Sequence, residues 1–426
     1  MKFRSTIVRH ILGEQSAGPV ATGGEQPVTK RPWLRATRRV KVAGLAVAVL
    51  AATLLSLALT SATNNSTATS ADSAGSAMAL SSPNSAPQLH VSGNKLVSAS
   101  GQRVVLHGVD RSGTEFMCAQ NRGIFDGPNS AASIRAMKQY GINAVRVPLN
   151  EACWNGESYV KHSMAGAPYR AAVTAYVNRL TANGMNAIVD LHWTDGQYMG
   201  LASACASATA TCQKPMPDAA GAVPFWKSTA QAFKGNDAVI FDLFNEPYPE
   251  QANHNIKAGW QCWLHGGQDC AGISYNVAGM QTLVSAVRST GANNVIMLGG
   301  LTWSNDLSQW LSHEPADPAH NLAASWHSYN FNACSTTACW NKQIAPVIAK
   351  VPLIAGEIGE NDCAGSYVDR LTSWMDAHSA SYLAWTWNSD FNCASGPGLI
   401  TSYNGQPTGF GAAYEAHLRS VAHMTG

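Results

Sequence analysis

The stretch Val239-Ile-Phe-Asp-Leu-Phe-Asn245-Glu246-Pro247 sets an apolar, β-rich run of strand length directly before an amide, a carboxyl group and a proline. Similar runs recur along the chain, each short enough for one strand, and most are followed by a helical pattern. Because strands that alternate with helices pair in parallel through right-handed crossovers, the sequence predicts an α/β fold with a parallel sheet. The predicted strands are 104–109, 144–149, 187–192, 239–244, 295–298, 323–327, 353–357 and 382–387.

The number of repeated units favours a closed barrel over an open sheet. The helical patterns cover 130–140, 169–183, 222–233, 275–290, 367–378 and 411–422, and only a short apolar segment, 307–311, follows the fifth run. A doubly wound sheet often carries a Gly-rich nucleotide loop after its first strand, and the first run here has none. The sequence therefore predicts a single (β/α)8 TIM barrel. A short β-hairpin, formed by 90–97 and 102–106, is expected before it.

The region before the barrel divides into two segments of different composition. A basic stretch at 31–41 precedes an uncharged apolar run at 42–62, which is the order found in signal sequences. The run is also long enough to cross a bilayer, so 1–62 is predicted to be a cleaved signal or a membrane anchor. Residues 63–88 are rich in Ser, Thr and Ala and predict a flexible linker. The catalytic domain is then expected to occupy 89–426.

The composition restricts the partners and the cellular compartment. Charged residues make up 13% of the chain and the net charge is +2, so no basic surplus is present to bind nucleic acid. The ten cysteines show no zinc-ligand spacing, and their even number favours disulfides formed outside the cytoplasm. We therefore expect an extracellular protein, secreted or anchored to a membrane, that acts as a monomer.

Chemistry on a parallel barrel belongs at the carboxyl ends of its strands, and polar or aromatic groups stand at those positions here. Two carboxyl groups, Glu246 after the fourth run and Glu357 at the end of the seventh, would face each other across one mouth. Such a pair suits hydrolysis of a glycosidic bond, with one group protonated as the acid and the other ionised as the nucleophile. The supporting side chains at the strand ends are Arg146, His192, Asn245, His327, Tyr329 and Trp387. Asp190 and Asp242 lie further inside the strands and are expected to form salt bridges.

Together these residues resemble the active-site pattern of glycoside hydrolase family 5, the cellulase family. The resemblance rests on Asn245-Glu246-Pro247 and on the order of the supporting side chains, and it runs from about residue 89 to the C-terminus. It implies a retaining, double-displacement hydrolase that needs no metal or cofactor. In that family's scheme Glu246 is the acid/base and Glu357 the nucleophile, while Trp387 is the floor on which the sugar stacks.

The cysteines and the remaining aromatic residues predict the walls of the cleft. The expected disulfides are Cys118–Cys153, Cys205–Cys212, Cys262–Cys270, Cys334–Cys339 and Cys363–Cys393, all in segments that follow strands. Trp193 and Trp303 closely follow strands and are the best candidates for sugar platforms. Weaker candidates are Trp154, Trp260, Trp263, Trp340 and Phe391, and the loop with Trp260 and Trp263 is a candidate lid.

Three functions remain open from the sequence. The leading one is a cellulase-like endo-β-1,4-glucanase. The second uses the same machinery on another β-linked oligo- or polysaccharide, as a β-mannanase, another β-glucanase or an exo-β-glycosidase. The third is a catalytically silent carbohydrate-binding barrel, which the intact pair of glutamates argues against. Loops that cannot be shaped from one sequence decide between the first two.

Overall fold

The structure is a computed structural model, and it describes residues 85–200, 206–394 and 396–424. The predicted signal or anchor at 1–62, and most of the predicted linker, lie outside these residues. Contact with the barrel begins slightly before the predicted domain start, because Ala86 is buried and its amide donates to the Thr181 carbonyl. Within the described ranges, no helix is both long and apolar enough to cross a bilayer.

Eight parallel strands close into a barrel, which confirms the predicted TIM-barrel architecture. The last barrel strand in the chain pairs with the first, and the strands between them follow one another around the barrel in chain order. Each predicted run overlaps one of these strands, and their ends differ by up to three residues. The barrel strands are β3 (His107–Asp110), β4 (Ala144–Asn150), β5 (Asn186–Trp193), β6 (Val239–Asp242), β7 (Ile296–Gly299), β8 (Leu322–Tyr329), β9 (Leu353–Gly359) and β10 (Ser381–Ala384).

Helices surround the barrel between the strands and bury their apolar faces against it. The predicted helices are present as Ala131–Gln139, Ala167–Ala182, Ala219–Phe233, Met280–Arg288, Ser366–Ala377 and Gly409–Met424. The weak segment after the fifth run forms one 3-10 turn, Trp310–Ser312. The sequence patterns missed several short elements, namely Glu151–Asn155, Glu250–Asn253, Ile256–His265, Gly267–Asp269, Leu301–Ser304 and the segments Thr337–Cys339, Trp340–Ile344 and Ala345–Ile348. A small two-stranded sheet, β11 (Ile400–Ser402) with β12 (Gln406–Pro407), precedes the last helix.

The expected hairpin is present, but its turn lies earlier than predicted. Strands β1 (Leu89–Ser92) and β2 (Lys95–Ser98) pair around the turn at Gly93 and Asn94, so 90–97 is not one strand. The predicted second strand contributes only an isolated bridge from Arg103 to Val97. The left-handed φ of +58° at Gly93 explains the position of the turn, because glycine adopts that conformation without steric penalty.

Side chains inside the barrel form layers of different chemistry. The bottom layer is apolar and joins Leu89 and Leu96 of the hairpin to Ile188, Ile240 and other strand residues. Because strand side chains alternate between faces, the next inward positions carry polar and charged groups, and those at the mouth carry the candidate catalytic residues. A separate apolar cluster fills the space between the strands and the helices.

One irregularity in the strand pairing changes which side chains face the mouth. Between β8 and β9 the register shifts, so that Trp326 pairs with Ala355 but His327 pairs with Glu357. The extra residue is Gly356, where a Cβ would lie 3.0 Å from Nε2 of His327. Bulges of this kind redirect side chains next to active sites. This one brings Glu357 opposite His327.

Candidate active site

Glu357 at the end of β9 is held by two donors from other strands. Nη1 of Arg146 donates to Oε1 at 2.9 Å, and the Tyr329 hydroxyl donates to Oε2 at 2.5 Å. The glutamate side chain is only 5% exposed. Hydrogen bonds and a positive charge stabilise the ionised form of a carboxyl group. These contacts suit a carboxylate that stays negative and aims one oxygen at a substrate.

Glu246 lies across the mouth in a different environment. Its Oε1 is 3.1 Å from Nδ1 of His327, and a fifth of its side chain is exposed. Burial, and next the negative charge of Glu357, raise the pKa of Glu246 well above its ordinary value. Burial, with Arg146 second, lowers the pKa of His327 well below its ordinary value, so that the imidazole is neutral. The arrangement suits a carboxylic acid that keeps its proton until it is needed.

The separation of the two glutamates matches one class of mechanism. A carboxylate oxygen of Glu246, a carboxylate oxygen of Glu357 and a ring nitrogen of His327 all lie within 4.8 Å of one another. Retaining glycosidases hold their two carboxyl groups about 5–5.5 Å apart, whereas inverting enzymes leave about 6.5–9.5 Å for a water molecule. The spacing here is that of a retaining pair.

Arg146 contacts four carboxyl groups beneath the mouth of the barrel, one of which is the nucleophile. Besides Glu357, its guanidinium contacts Asp110 at 2.9 Å, Asp242 at 2.9 Å and Asp190 at 3.2 Å, and all of these side chains apart from Glu357 are fully buried. Burial raises the pKa of Asp110 and Asp242 well above the ordinary value, and that of Asp190 to about 7. One guanidinium cannot balance the charge of four carboxylates, so full ionisation of the cluster is disfavoured. The expectation that Asp190 and Asp242 form salt bridges is confirmed.

Asn245 is fixed from both sides of its amide. Its Oδ1 accepts from Nη2 of Arg146 at 2.8 Å, and its Nδ2 donates to Oε1 of Gln213 at 3.1 Å. Gln213 lies in the long segment after β5 and was not recognised from the sequence. No strand-end pattern marks it, since it lies in a loop between two elements.

His192 is oriented by a carboxylate and covered by an indole. Nδ1 of His192 lies 2.7 Å from Oδ2 of Asp190, and the imidazole stacks on Trp385 with ring centroids 5.4 Å apart. Burial lowers the pKa of His192 to about 3, so the ring is neutral. The bond to Asp190 places the ring proton on Nδ1 and leaves Nε2 as an acceptor.

The prediction that Trp387 is the floor of the cleft is wrong. Trp387 is fully buried and meets Tyr140 edge-on, with ring centroids 4.9 Å apart, on the helix side of the barrel. Strand β10 ends at Ala384, and the alternation of faces does not continue to residue 387. Trp385 continues it instead, two residues after the inward-facing Leu383. Alternation from Leu383 leads to Trp387 as well as to Trp385, so the sequence carried no signal that separates the two tryptophans.

Trp193 and Trp303 are both half-buried. Trp193 ends β5 next to His192. Trp303 stacks on Tyr248 with ring centroids 4.8 Å apart, and its amide donates to the carbonyl of Pro247. It lies in a turn where Thr302, Trp303 and Ser304 all have φ between +54° and +59°. The turn thus presents an aromatic face beside the loop that carries Glu246.

Four of the five weaker aromatic candidates do not line the cleft. They are fully buried in the core between strands and helices: Trp154, Trp260, Trp263 and Trp340. The predicted lid is instead part of the helix Ile256–His265, where Nε1 of Trp263 donates to the Gly299 carbonyl. Only Phe391 remains half-buried. Residue type alone did not reveal that the long connection folds into a packed helix.

Four of the five predicted disulfides are confirmed, and each lies in segments that follow barrel strands. They are Cys118–Cys153, Cys262–Cys270, Cys334–Cys339 and Cys363–Cys393. Cys212 is also disulfide-bonded, whereas Cys205, its predicted partner, lies outside the described residues.

Among the described residues, only Glu246, His327 and Glu357 bring three potential metal-ligand atoms together. These are also the acid, its imidazole neighbour and the nucleophile. A cation there would engage both carboxyl groups that the hydrolytic chemistry requires.

A (β/α)8 barrel with two carboxyl groups this close together has the site geometry of a retaining glycoside hydrolase. A family model described as cellulase, glycosyl hydrolase family 5, matches residues 97–391, and the chain belongs to this family. It is therefore a glycosyl hydrolase that acts on β-linked glycans with retention, and the reading of a catalytically silent barrel is set aside.

Individual relatives are distant. The chain is similar to a mannan endo-1,4-beta-mannosidase of Streptomyces lividans, with 23% identity over 71% of this chain and 66% of the relative. It is also similar to endoglucanase A of Butyrivibrio fibrisolvens, with 22% identity over 57% of this chain and 45% of the relative. The crystal structure of a β-glucanase from Saccharophagus degradans shares the fold, with a TM-score of 0.59, 17% identity and coverage of 79% and 94% of the two chains.

Proposed function

We propose that this chain cleaves β-1,4-linked glucan internally, with Glu357 as nucleophile and Glu246 as acid/base. The observation that carries the catalytic roles is the asymmetry of the close carboxyl pair, and the choice of glucan is supported by the similarity to endoglucanase A of Butyrivibrio fibrisolvens. Arg146 and Tyr329 donate to Glu357, whereas Glu246 faces a neutral imidazole. This asymmetry supports the proposal that Glu357 and Glu246 take the two roles that a retaining mechanism requires.

In the first step Glu357 attacks the anomeric carbon while Glu246 transfers its proton to the leaving oxygen. The glycosidic bond breaks, and a covalent glycosyl–Glu357 ester forms. Asn245 stands next to Glu246 and is proposed to bind the sugar 2-hydroxyl, a contact that strengthens in the transition state. Tyr329 and Arg146 hold the attacking carboxylate, so little reorientation is needed.

In the second step Glu246 takes a proton from water, and the water oxygen displaces Glu357 from the sugar. Esterification removes the negative charge of Glu357, which is one of the causes that raise the pKa of Glu246. The pKa of Glu246 therefore falls in the intermediate, and the same group changes from acid to base. Inversion at each step produces net retention.

Aromatic side chains supply the proposed sugar-binding faces. Trp385, stacked on His192, replaces Trp387 as the platform at the cleaved bond. Trp303, backed by the buried ring of Tyr248, offers a second platform beside the acid/base loop, and Trp193 extends the first. Flat C–H faces of sugars pack on such rings while their hydroxyls bond to polar neighbours.

A β-mannanase is the second candidate. It is favoured by the Streptomyces lividans relative, whose match covers 71% of this chain. Glucan and mannan differ in the configuration at C2 of each sugar. The discrimination must therefore come from groups near the 2-hydroxyl, of which Asn245 is one.

We also propose that the protein acts outside the cytoplasm. The described disulfides support this, since such bonds persist in oxidising compartments. The apolar run at 42–62 is proposed to act as a signal sequence that is either cleaved or retained as a membrane anchor. Mass measurement of the chain from the membrane fraction and from the medium would distinguish the two. A full-length chain in the membrane indicates an anchor, and a shortened chain in the medium indicates a cleaved signal.

The test is product analysis of the full chain on β-1,4-glucan, mannan, other β-glucans and short oligosaccharides. Glu357→Gln is assayed alongside, with Glu415→Gln on the last helix as a matched control outside the cleft. Internal cleavage of β-1,4-glucan that is lost only in Glu357→Gln supports the proposal. Preferential cleavage of mannan moves it to the second candidate, and release of single sugars moves it to an exo-glycosidase. Full activity of Glu357→Gln would overturn the mechanism.

A further inference from the structure

Gln213 connects the segment after β5 to the catalytic loop after β6. Its side-chain oxygen accepts from Nδ2 of Asn245 at 3.1 Å, and its side-chain nitrogen donates to the carbonyl of Glu246 at 3.1 Å. The same nitrogen also lies 3.1 Å from the carbonyl of Lys214. Gln213 is 6% exposed. A buried amide with both ends bonded is held in one orientation.

The backbone of this segment is fixed to the same loop. The Tyr248 hydroxyl donates to the Gln213 carbonyl at 3.1 Å, and the Tyr248 amide donates to the Pro215 carbonyl at 2.9 Å. The neighbouring Cys212 is disulfide-bonded. Residues 212–215 therefore form a support behind Asn245 and Glu246. The Gln213 side chain bonds to the side chain of Asn245 and to the backbone carbonyl of Glu246.

The orientation of Asn245 depends on this support. Arg146 donates to the Asn245 oxygen, which determines which end of the amide is the acceptor. Gln213 then takes one of the two N–H bonds on the nitrogen, so that rotation about the terminal side-chain bond is blocked. The second N–H is the one that faces a sugar hydroxyl if Asn245 binds the substrate as proposed.

We propose that Gln213 is a positioning residue that fixes the Asn245 amide for recognition of the 2-hydroxyl of the sugar undergoing cleavage. The proposal rests on the proposed function and deepens it, because it places part of the C2 specificity in the segment after β5. A substrate that lacks the 2-hydroxyl cannot use Asn245. Loss of Gln213 should therefore impair the parent substrate and leave the 2-deoxy substrate less affected.

The experiment compares kcat/KM for an aryl β-cellobioside and its analogue without the 2-hydroxyl on the reacting sugar. Gln213→Met keeps the volume and removes the bonds. Gln213→Glu keeps an acceptor for Asn245 and removes the donor to Glu246. The ratio of parent to 2-deoxy kcat/KM should fall about tenfold in Gln213→Met, the equivalent of about one hydrogen bond, and be largely retained in Gln213→Glu. In an Asn245→Ala background, Gln213→Met should no longer change the ratio.

Equal losses on both substrates in Gln213→Met would overturn the proposal, because a merely structural role affects both alike. If Gln213→Met does not fold by thermal melting, Tyr248→Phe serves as the second variant. This variant keeps the ring that stacks on Trp303 but removes the hydrogen bond to the Gln213 carbonyl. It should lower the ratio of parent to 2-deoxy kcat/KM by a smaller factor. An unchanged ratio would overturn the proposal. A wild-type chain that cleaves neither substrate would instead contradict the proposed function on which this inference rests.

Discussion

Nη1 of Arg146 lies 2.9 Å from Oε1 of Glu357, and the arginine is completely shielded from solvent. The nucleophile is therefore joined to a cation that cannot exchange its partners for water. Three buried aspartates share that cation. The electrostatic state of the nucleophile and the stability of the barrel core thus depend on the same side chain.

Arg146→Met should reduce stability and activity together. Removing one partner from a buried ion pair costs about 3–5 kcal/mol, because the remaining charges stay desolvated. We expect a loss of that size in the free energy of unfolding at pH 7, measured by urea denaturation, and a smaller loss at pH 4, where more carboxyl groups are protonated. Arg419→Met removes an exposed pair with Glu415 and should change the free energy by less than about 1 kcal/mol. Equal effects of the two substitutions would contradict the role of Arg146.

The alkaline limb of the pH profile should report Glu246. Burial and the charge of Glu357 raise its pKa, so the protonated acid persists to higher pH than an ordinary glutamic acid, whose pKa is about 4.3. Activity should therefore fall with increasing pH only well above that value. Glu357→Gln removes the neighbouring negative charge and should lower the pKa of Glu246, as measured by NMR of carboxyl-labelled glutamate. An unchanged or higher pKa in that variant would exclude coupling between the two groups.

The two tryptophans after β10 should respond differently to truncation. Trp387→Ala creates a cavity in the core and should cost about 3–5 kcal/mol of unfolding free energy, with KM unchanged at temperatures where the variant is folded. Trp385→Ala removes the indole that is proposed to bind the sugar and that stacks on His192. It should lower kcat/KM by about tenfold or more and should reduce stability less than Trp387→Ala does. Thermal melts and steady-state kinetics measure both effects. The reverse pattern would restore Trp387 as the platform.

Asp376 should stabilise the seam where the barrel closes. It lies 2.8 Å from Nε2 of His417 and 3.5 Å from Nε2 of His107. Burial opposes ionisation, but the neighbouring imidazoles of His107 and His417 outweigh it and lower the pKa of Asp376 to about 2. The unfolded value is about 3.9, so the contribution is fully present above that pH and is lost as pH falls towards 2.

Asp376→Asn should therefore lower the unfolding free energy at pH 6 by on the order of 1–2 kcal/mol. The difference from the wild type should shrink between pH 4 and pH 2, as followed by urea denaturation across that range. Asp369→Asn is a suitable control, since its side chain is 70% exposed and lies 3.8 Å from His417. A difference that stays constant down to pH 2 would rule out the ionised Asp376 as its source.

The alternation of apolar runs and helical patterns determined the barrel, because each strand must present apolar side chains to both the interior and the helices. The same logic predicted that Arg146, Glu246, His327 and Glu357 converge, since the carboxyl ends of parallel strands meet at one mouth. Close cysteine pairs could likewise be read from spacing, because few partners are within reach of a short loop.

Other features required the tertiary structure. Trp387 was misassigned because periodicity holds only within a strand, and β10 ends at Ala384. The buried Trp260 and Trp263 looked like cleft residues because the sequence did not indicate the helix that packs them inward. Gln213 carries no pattern at all, since its role arises from contact between two loops that are distant in sequence. The local sequence thus determined the strands and the residues at their ends, whereas packing between loops decided which side chains surround the reacting bond.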